Sequence, residues 1–247
     1  MQVINIRYQF HLRRQKARSI IFLLIVGLIS TVSHAQNFGQ TNLPDYDNRI
    51  LHFGFTLGAH QSSYRLTYND DYASEWLDTL HSIQVDQRFG FSIGFLANFH
   101  ILQYLDLRPM FKVSFYEYAL NYYFLGDQQM RTQPVEAAYV EMPLTIKYRS
   151  LRRKNFGMYL VGGITPGIQV GGRGEDDQDP NVLHTHNDNL SLEYGLGLDI
   201  YYPLFKFSPE LRVSHGIRNQ VKPDISVWSN GIDRLVTHSV SLYLNFQ

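Results

Sequence analysis

The sequence predicts an all-β chain: an eight-stranded antiparallel transmembrane β-barrel of the outer membrane, preceded by a cleavable signal peptide. Three observations lead there. Successive segments alternate bulky apolar residues with small or polar ones. The connections between those segments alternate long and short. The first 35 residues read as an export signal.

The export signal has three parts. Arg7, Arg13, Arg14, Lys16 and Arg18 form a basic region, and residues 20–32 an apolar run too short to span a bilayer comfortably. Ser33-His34-Ala35 then offers a small-x-small cleavage site before Gln36. An uncleaved anchor helix is the alternative, although polar residues follow at once. Residues 36–49 are polar and read as a periplasmic N-terminal extension, which leaves 50–247 for the barrel.

Strand candidates follow in order. In 50–68, Leu51, Phe53, Phe55, Leu57 and Ala59 share one face, and His52, Gly54, Thr56, Gly58 and His60 the other. In 88–99, Phe89, Phe91, Ile93, Phe95, Ala97 and Phe99 face out, with Leu96 an exception on the Gly-Ser face. Segment 105–118 puts Leu107, Phe111, Val113 and Phe115 outward. Segment 138–148 does the same with Val140, Met142, Leu144, Ile146 and Tyr148. Segment 156–170 is Gly-rich and alternates least clearly. Segment 190–201 is very regular, from Leu190 to Ile200 on one face and Ser191 to Asp199 on the other. Segment 206–218 presents Phe207, Leu211, Val213 and Ile217. Segment 236–246 closes the chain, with Val236, His238, Val240, Leu242, Leu244 and Phe246 opposite Thr237, Ser239, Ser241, Tyr243 and Asn245. An even strand number returns both ends to the same side of the membrane.

The long connections are expected at 69–87, 119–137, 171–189 and 219–234, and the short ones at 100–104, 149–155 and 202–205. Transmembrane barrels carry short periplasmic turns and longer outer loops. The long segments hold solvated turn chemistry: Asp70-Asp71, Gly126-Asp127, Glu175-Asp176-Asp177 and Asn230-Gly231. Tyr64, Tyr68, Tyr118, Tyr122 and Tyr123 fall near the outer ends, and Tyr104, Tyr148, Tyr201 and Tyr202 near the inner ends. Both groups are expected to form aromatic girdles. The soluble rival is a lipocalin-like barrel with apolar groups inside. Charge parity argues against it, because charged strand residues share the Gly-Ser face and the bulky face is almost free of charge.

Those charged residues are Asp106, Arg108, Lys112, Glu141, Lys147, Glu193, Asp199, Glu210 and Arg212. They are expected to form a structural charge network in a narrow lumen, since an eight-stranded barrel is filled by side chains and an isolated buried charge is costly. A proton path or a hidden catalytic pair is the functional alternative, and no spacing singles out two carboxylates. No catalytic, cofactor-binding or metal residue is assigned. His184 and His186 lie near Asp176, Asp177, Asp179 and Asp188, but the spacing matches no ligand signature. Gly171-Gly172-Arg173-Gly174 opens no helix, so it is not a phosphate cradle. Loss of the signal's five bases would leave 17 Lys plus Arg against 22 Asp plus Glu, a net charge of −5, which argues against nucleic acid. There is no cysteine, which excludes disulfides and thiol chemistry. The mean hydropathy is slightly negative, yet 14% of residues are aromatic, as suits strands that are half lipid-facing.

Several stretches together resemble the PorT family of outer-membrane barrels of the type IX secretion system of Bacteroidota. They are Leu51-His52-Phe53-Gly54-Phe55-Thr56-Leu57-Gly58, Leu105-Asp106-Leu107-Arg108-Pro109, Val140-Glu141-Met142-Pro143-Leu144 through Lys147-Tyr148-Arg149-Ser150, and Gly195-Leu196-Gly197-Leu198-Asp199 through Ser208-Pro209-Glu210-Leu211-Arg212. The last two are similar to broader barrel families of that phylum. The first, with Asn42-Leu43-Pro44 and Tyr46-Asp47, leans towards PorT itself. The resemblance implies a non-enzymatic role in exporting cargo with C-terminal sorting domains and, in some bacteria, in gliding motility. It implies the lipid bilayer and other secretion subunits as partners, with no small-molecule substrate and no cofactor. A generic barrel for adhesion or envelope integrity, and an outer-membrane lipid- or peptide-hydrolysing enzyme, are the alternatives.

Overall fold

A computed structural model describes residues 41–68, 80–124, 131–172, 185–221 and 232–247. The expected signal peptide and the turn pairs quoted above for the four long connections lie outside the described residues. So do His184, Asp176, Asp177 and Asp179.

Ten strands are described: β1 (Leu51–Tyr68), β2 (Leu80–Asp86), β3 (Arg88–Leu102), β4 (Leu105–Phe124), β5 (Arg131–Glu141), β6 (Leu144–Arg149), β7 (Phe156–Gly172), β8 (Asp188–Tyr201), β9 (Lys206–Gly216) and β10 (Ile232–Phe246). All pairings are antiparallel. They run β1–β3–β4, then through β5 and β6 to β7, β8, β9 and β10, and β10 returns to β1 from Phe55↔Phe246 to Tyr68↔Ile232. The pairings therefore close on themselves. Ten strands make eight staves because β2 and β3 share one side of β4, and β5 and β6 share the other.

Each tandem has its own cause. From Asp86 to Phe91 the chain takes five steps while its partner takes four, from Ala119 to Phe115. One residue is thus inserted near Gln87, a bulge that reverses which face later residues occupy. Ile83 points inward from β2, and Ser92, two residues on from Gly90, points inward from β3 with the opposite parity. The break between β5 and β6 lies at Met142-Pro143. Proline has no N–H for the ladder, but the register carries through, with Lys112↔Glu141 and Pro109↔Leu144. The Pro143 carbonyl still accepts from Met110 N at 2.8 Å.

The strands reach further than the sequence suggested. β2, the end of β4 and the start of β5 occupy parts of 69–87 and 119–137 that were expected to be loop. The short connections stay short, and the tightest, at 153–156, places Lys154 at φ +54°.

Faces follow the two-residue rhythm. Phe53 is 72% exposed, Phe91 58%, Leu144 45% and Leu242 48%, whereas Glu141 is 4% and Arg212 1% exposed. The Gly-rich β7 alternates as fully as the others, with Met158, Leu160, Ile164 and Ile168 outward and Tyr159, Val161 and Thr165 inward. Three girdle assignments are corrected. Tyr64, Tyr118 and Tyr201 are buried inside, because they sit on the same parity as His60, Ser114 and Asp199. Tyr68, Tyr104, Tyr148 and Tyr202 are exposed.

Candidate functional site

The interior is filled in three levels. At the end bearing the short turns, residues 41–49 fold back against the mouth. A short 3₁₀ turn, Tyr46–Asn48, brings Tyr46 over His52 with ring centroids 3.9 Å apart. His52 Nε2–H donates to the Tyr46 carbonyl at 2.9 Å. Asp47 accepts from Arg149 at 2.8 Å, Arg152 at 3.3 Å and the Tyr201 hydroxyl at 3.0 Å. Asn42 Nδ2 donates to the Tyr201 carbonyl at 2.9 Å, and Arg152 donates to the carbonyls of Asn42 and Leu43. Burial, reinforced by the Asp199 carboxylate, pushes the Tyr46 phenol far above its ordinary range, so it stays neutral.

At mid-height lies the charge network. All nine residues named from the sequence are buried there. Arg212, from β9, donates to Glu193 at 2.9 Å and to Glu210 on its own strand. Glu210 also accepts from Arg108 Nη1 at 2.8 Å and from the Tyr159 hydroxyl at 2.7 Å. Lys112 Nζ donates to the Tyr243 hydroxyl at 2.6 Å and lies 3.1 Å from Glu141 and 3.8 Å from Glu193. Lys147 donates to Asp199 at 2.6 Å, and Ser208 donates to the same carboxylate at 2.6 Å. Asp106 accepts from Asn98 at 2.9 Å and pairs with His100 Nδ1 at 2.8 Å. Tyrosine rings separate the cations: Arg212 and Lys112 face Tyr243, and Arg108 and Lys147 face Tyr159.

Neighbouring staves make room for those rings. Gly197 pairs with Tyr159, and a Cβ at 197 would come 2.3 Å from the Tyr159 ring. Each carboxylate is gripped by at least one cation or hydroxyl. A carboxylate held by several donors and shut from water is a poor general base, so the arrangement favours rigidity over proton transfer.

The third level, towards the long connections, is apolar. Tyr64, Ile83, Tyr118, Leu120, Val221, Ile232 and Leu235 pack together inside the sheet. Tyr64 and Tyr118 stack at 4.2 Å.

Residues 34–221 match the family described as outer membrane protein beta-barrel domain. The chain belongs to that family. As an outer-membrane barrel it sits in the lipid bilayer, and its bulky face meets hydrocarbon. No curated protein sequence matches it. Solved chains that it is similar to include Neisserial surface protein A, at 12% identity, covering 79% of this chain and 97% of that one, with a TM-score of 0.42. OprG from Pseudomonas aeruginosa is 10% identical, covering 85% and 97%, with a TM-score of 0.44. Ail of Yersinia pestis, in complex with a heparin analogue, is 12% identical, covering 78% and 96%, with a TM-score of 0.35.

Two features of the barrel interior escaped the sequence reading. Lys206 is buried beside the network, its Nζ 4.5 Å from the Tyr46 ring centroid, and it brings the buried bases to five against five acids. Its even position on β9, in step with Ser208, Glu210 and Arg212, carried that signal. The apolar level broke the rule that the inward face is polar, so parity alone did not find it. Of the acidic segment near His184, only His186 and Asp188 are among the described residues. His186 bonds through its backbone to Gln220, and Asp188 pairs with Arg218. Among the described residues, no cluster of His, Asp or Glu suits a metal ion.

Proposed function

We propose that this outer-membrane barrel is a non-enzymatic, non-conducting scaffold that acts on partner proteins through its periplasmic and outer ends. The observation carrying this reading is the lumen, filled from the Asp47–Arg149 contact at one mouth, through the charge network, to the Tyr64–Leu235 cluster at the other. A filled lumen offers neither a conduit for folded cargo nor water to the buried carboxylates.

The resemblance to PorT refines the role. On that reading the barrel is a component of the type IX secretion apparatus, needed for exporting proteins with C-terminal sorting domains and, in some bacteria, for gliding. Other secretion subunits are its partners, and the Asn42-Leu43-Pro44 and Tyr46-Asp47 residues that support the resemblance are the ones seated at the periplasmic mouth. The test compares the secretomes of a deletion strain and its parent, with pull-down of the tagged barrel. Loss of sorting-domain cargo from the medium supports the export role. An unchanged secretome would discard it and leave a general envelope or adhesion barrel. Hydrolysis of lipid or peptide by the purified protein would overturn the non-enzymatic part.

A further inference from the structure

The outer wall carries a cationic patch that the scaffold role does not use. On β10 the outward residues run Phe246, Leu244, Leu242, Val240, His238 and Val236, and then Arg234. The ten steps from Phe246 to Val236, at about 3.4 Å each and tilted by about 40°, rise roughly 26 Å, close to the height of a lipid-facing band, and Arg234 lies two residues beyond. Arg234 therefore stands where hydrocarbon gives way to headgroups on the outer side. Arg65 on β1 pairs with Val236, and Arg234 pairs with Thr67, which makes the two arginines diagonal neighbours on the same outward face. Both are exposed.

Like charges in that relation repel unless an anion lies between them. Among the described residues no carboxylate forms an ion pair with either arginine, and Asp188 on β8 is already engaged by Arg218. Among the described residues, Arg234 spends one N–H on the Ile217 carbonyl at 3.1 Å and keeps the rest. His238 and His215 complete the wall of the same cleft, of about 510 Å³, with Nδ1 atoms 3.0 Å apart; one of them donates to the other. Tyr194 braces His215 through its hydroxyl at 3.0 Å from Nε2.

We infer that Arg65, Arg234 and His238 form a binding site for the phosphate of an outer-leaflet glycolipid, fixing one lipid against the β1–β10 seam. Two guanidinium forks on adjacent strands suit a phosphate monoester, which accepts paired N–H bonds. The apolar residues below, Val236 and Val240, suit the acyl chains of the same molecule. The inference rests on the membrane orientation and is independent of any export role.

The test is titration of the purified full-length barrel in detergent with diphosphoryl lipid A, read by native mass spectrometry. Fully dephosphorylated lipid A and inorganic phosphate are the comparison probes. Diphosphoryl lipid A should bind at least about tenfold more tightly than the dephosphorylated form, with millimolar phosphate unable to displace it. Arg65→Gln with Arg234→Gln should remove that preference, and the double lysine variant should keep most of it. Unaltered gel migration of the unheated protein checks that each variant is folded. Equal binding of the two lipids by the wild type, which needs no variant, would overturn the site. So would an unchanged preference in the folded glutamine variant. Full displacement by inorganic phosphate would make it a free-anion site and overturn the lipid assignment.

Discussion

Tyr243 lies directly opposite Gly58 across the β1–β10 seam, and its ring fills the space that a side chain at 58 would need. A Cβ on Gly58 would come 2.7 Å from Tyr243 Cε1 and 2.3 Å from Ser92 Oγ. The same ring delivers its hydroxyl to Lys112. Gly58→Val should therefore push Tyr243 off Lys112 and destabilise the barrel by about 1–3 kcal/mol, the usual range for overpacking. Ala59→Val, one residue along and facing lipid, is the control and should be near neutral. Urea unfolding from lipid vesicles separates the two.

The membrane face gives a second pair of neighbours. Leu242 is outward and Ser241 inward, buried on β10 opposite Arg212. Leu242→Arg should cost about 2–4 kcal/mol near the bilayer midplane. Ser241→Ala should cost far less, since its methyl stays inside. Equal effects on assembly into vesicles would contradict the assigned faces.

Arg212 holds both Glu193 and Glu210. Arg212→Met leaves Glu193 with the Lys112 ammonium 3.8 Å away and Glu210 with Arg108. Removing one partner from a buried ionic cluster costs about 3–5 kcal/mol, mostly as uncompensated charge. The second change Glu193→Gln should return part of that loss, and a double-mutant cycle in urea measures the coupling. Strict additivity would mean that the two side chains do not interact.

At the periplasmic mouth, Asp47 ties the N-terminal segment to Arg149, Arg152 and Tyr201. Asp47→Ala should speed amide hydrogen exchange at Tyr46, Asn48 and Arg49, whose N–H groups bond only locally. The paired amides of β1 and β10 should keep their protection. Unchanged exchange in the segment would show that other contacts seat it.

Much of the fold was legible because a two-residue period assigns every side chain to a face at once. Phe53, Leu144 and Leu242 outside, with Glu141 and Arg212 inside, follow from that alone. What stayed hidden has physical reasons. The bulge near Gln87 flips the phase, so Ile83 and Val85 did not join the pattern of β3. Tyrosine suits either a girdle or a polar lumen, so Tyr64 and Tyr118 were placed on the wrong side. Leu120 and Leu235 face inward to an apolar level that a polar-lumen rule does not foresee. The seating of Asp47 on Arg149 joins residues 102 positions apart and leaves no local mark in sequence.

The central claim is that the greasy side of each strand meets hydrocarbon and the charged side fills a dry interior. The chain has no cysteine, so single cysteines at Phe91, Leu198 and Leu242 can each carry one spin label without background. In bilayers, labels at all three should collide readily with dissolved oxygen and hardly at all with a water-soluble nickel chelate. Strong collision with the chelate at those positions, or protection from both reagents, would contradict the orientation.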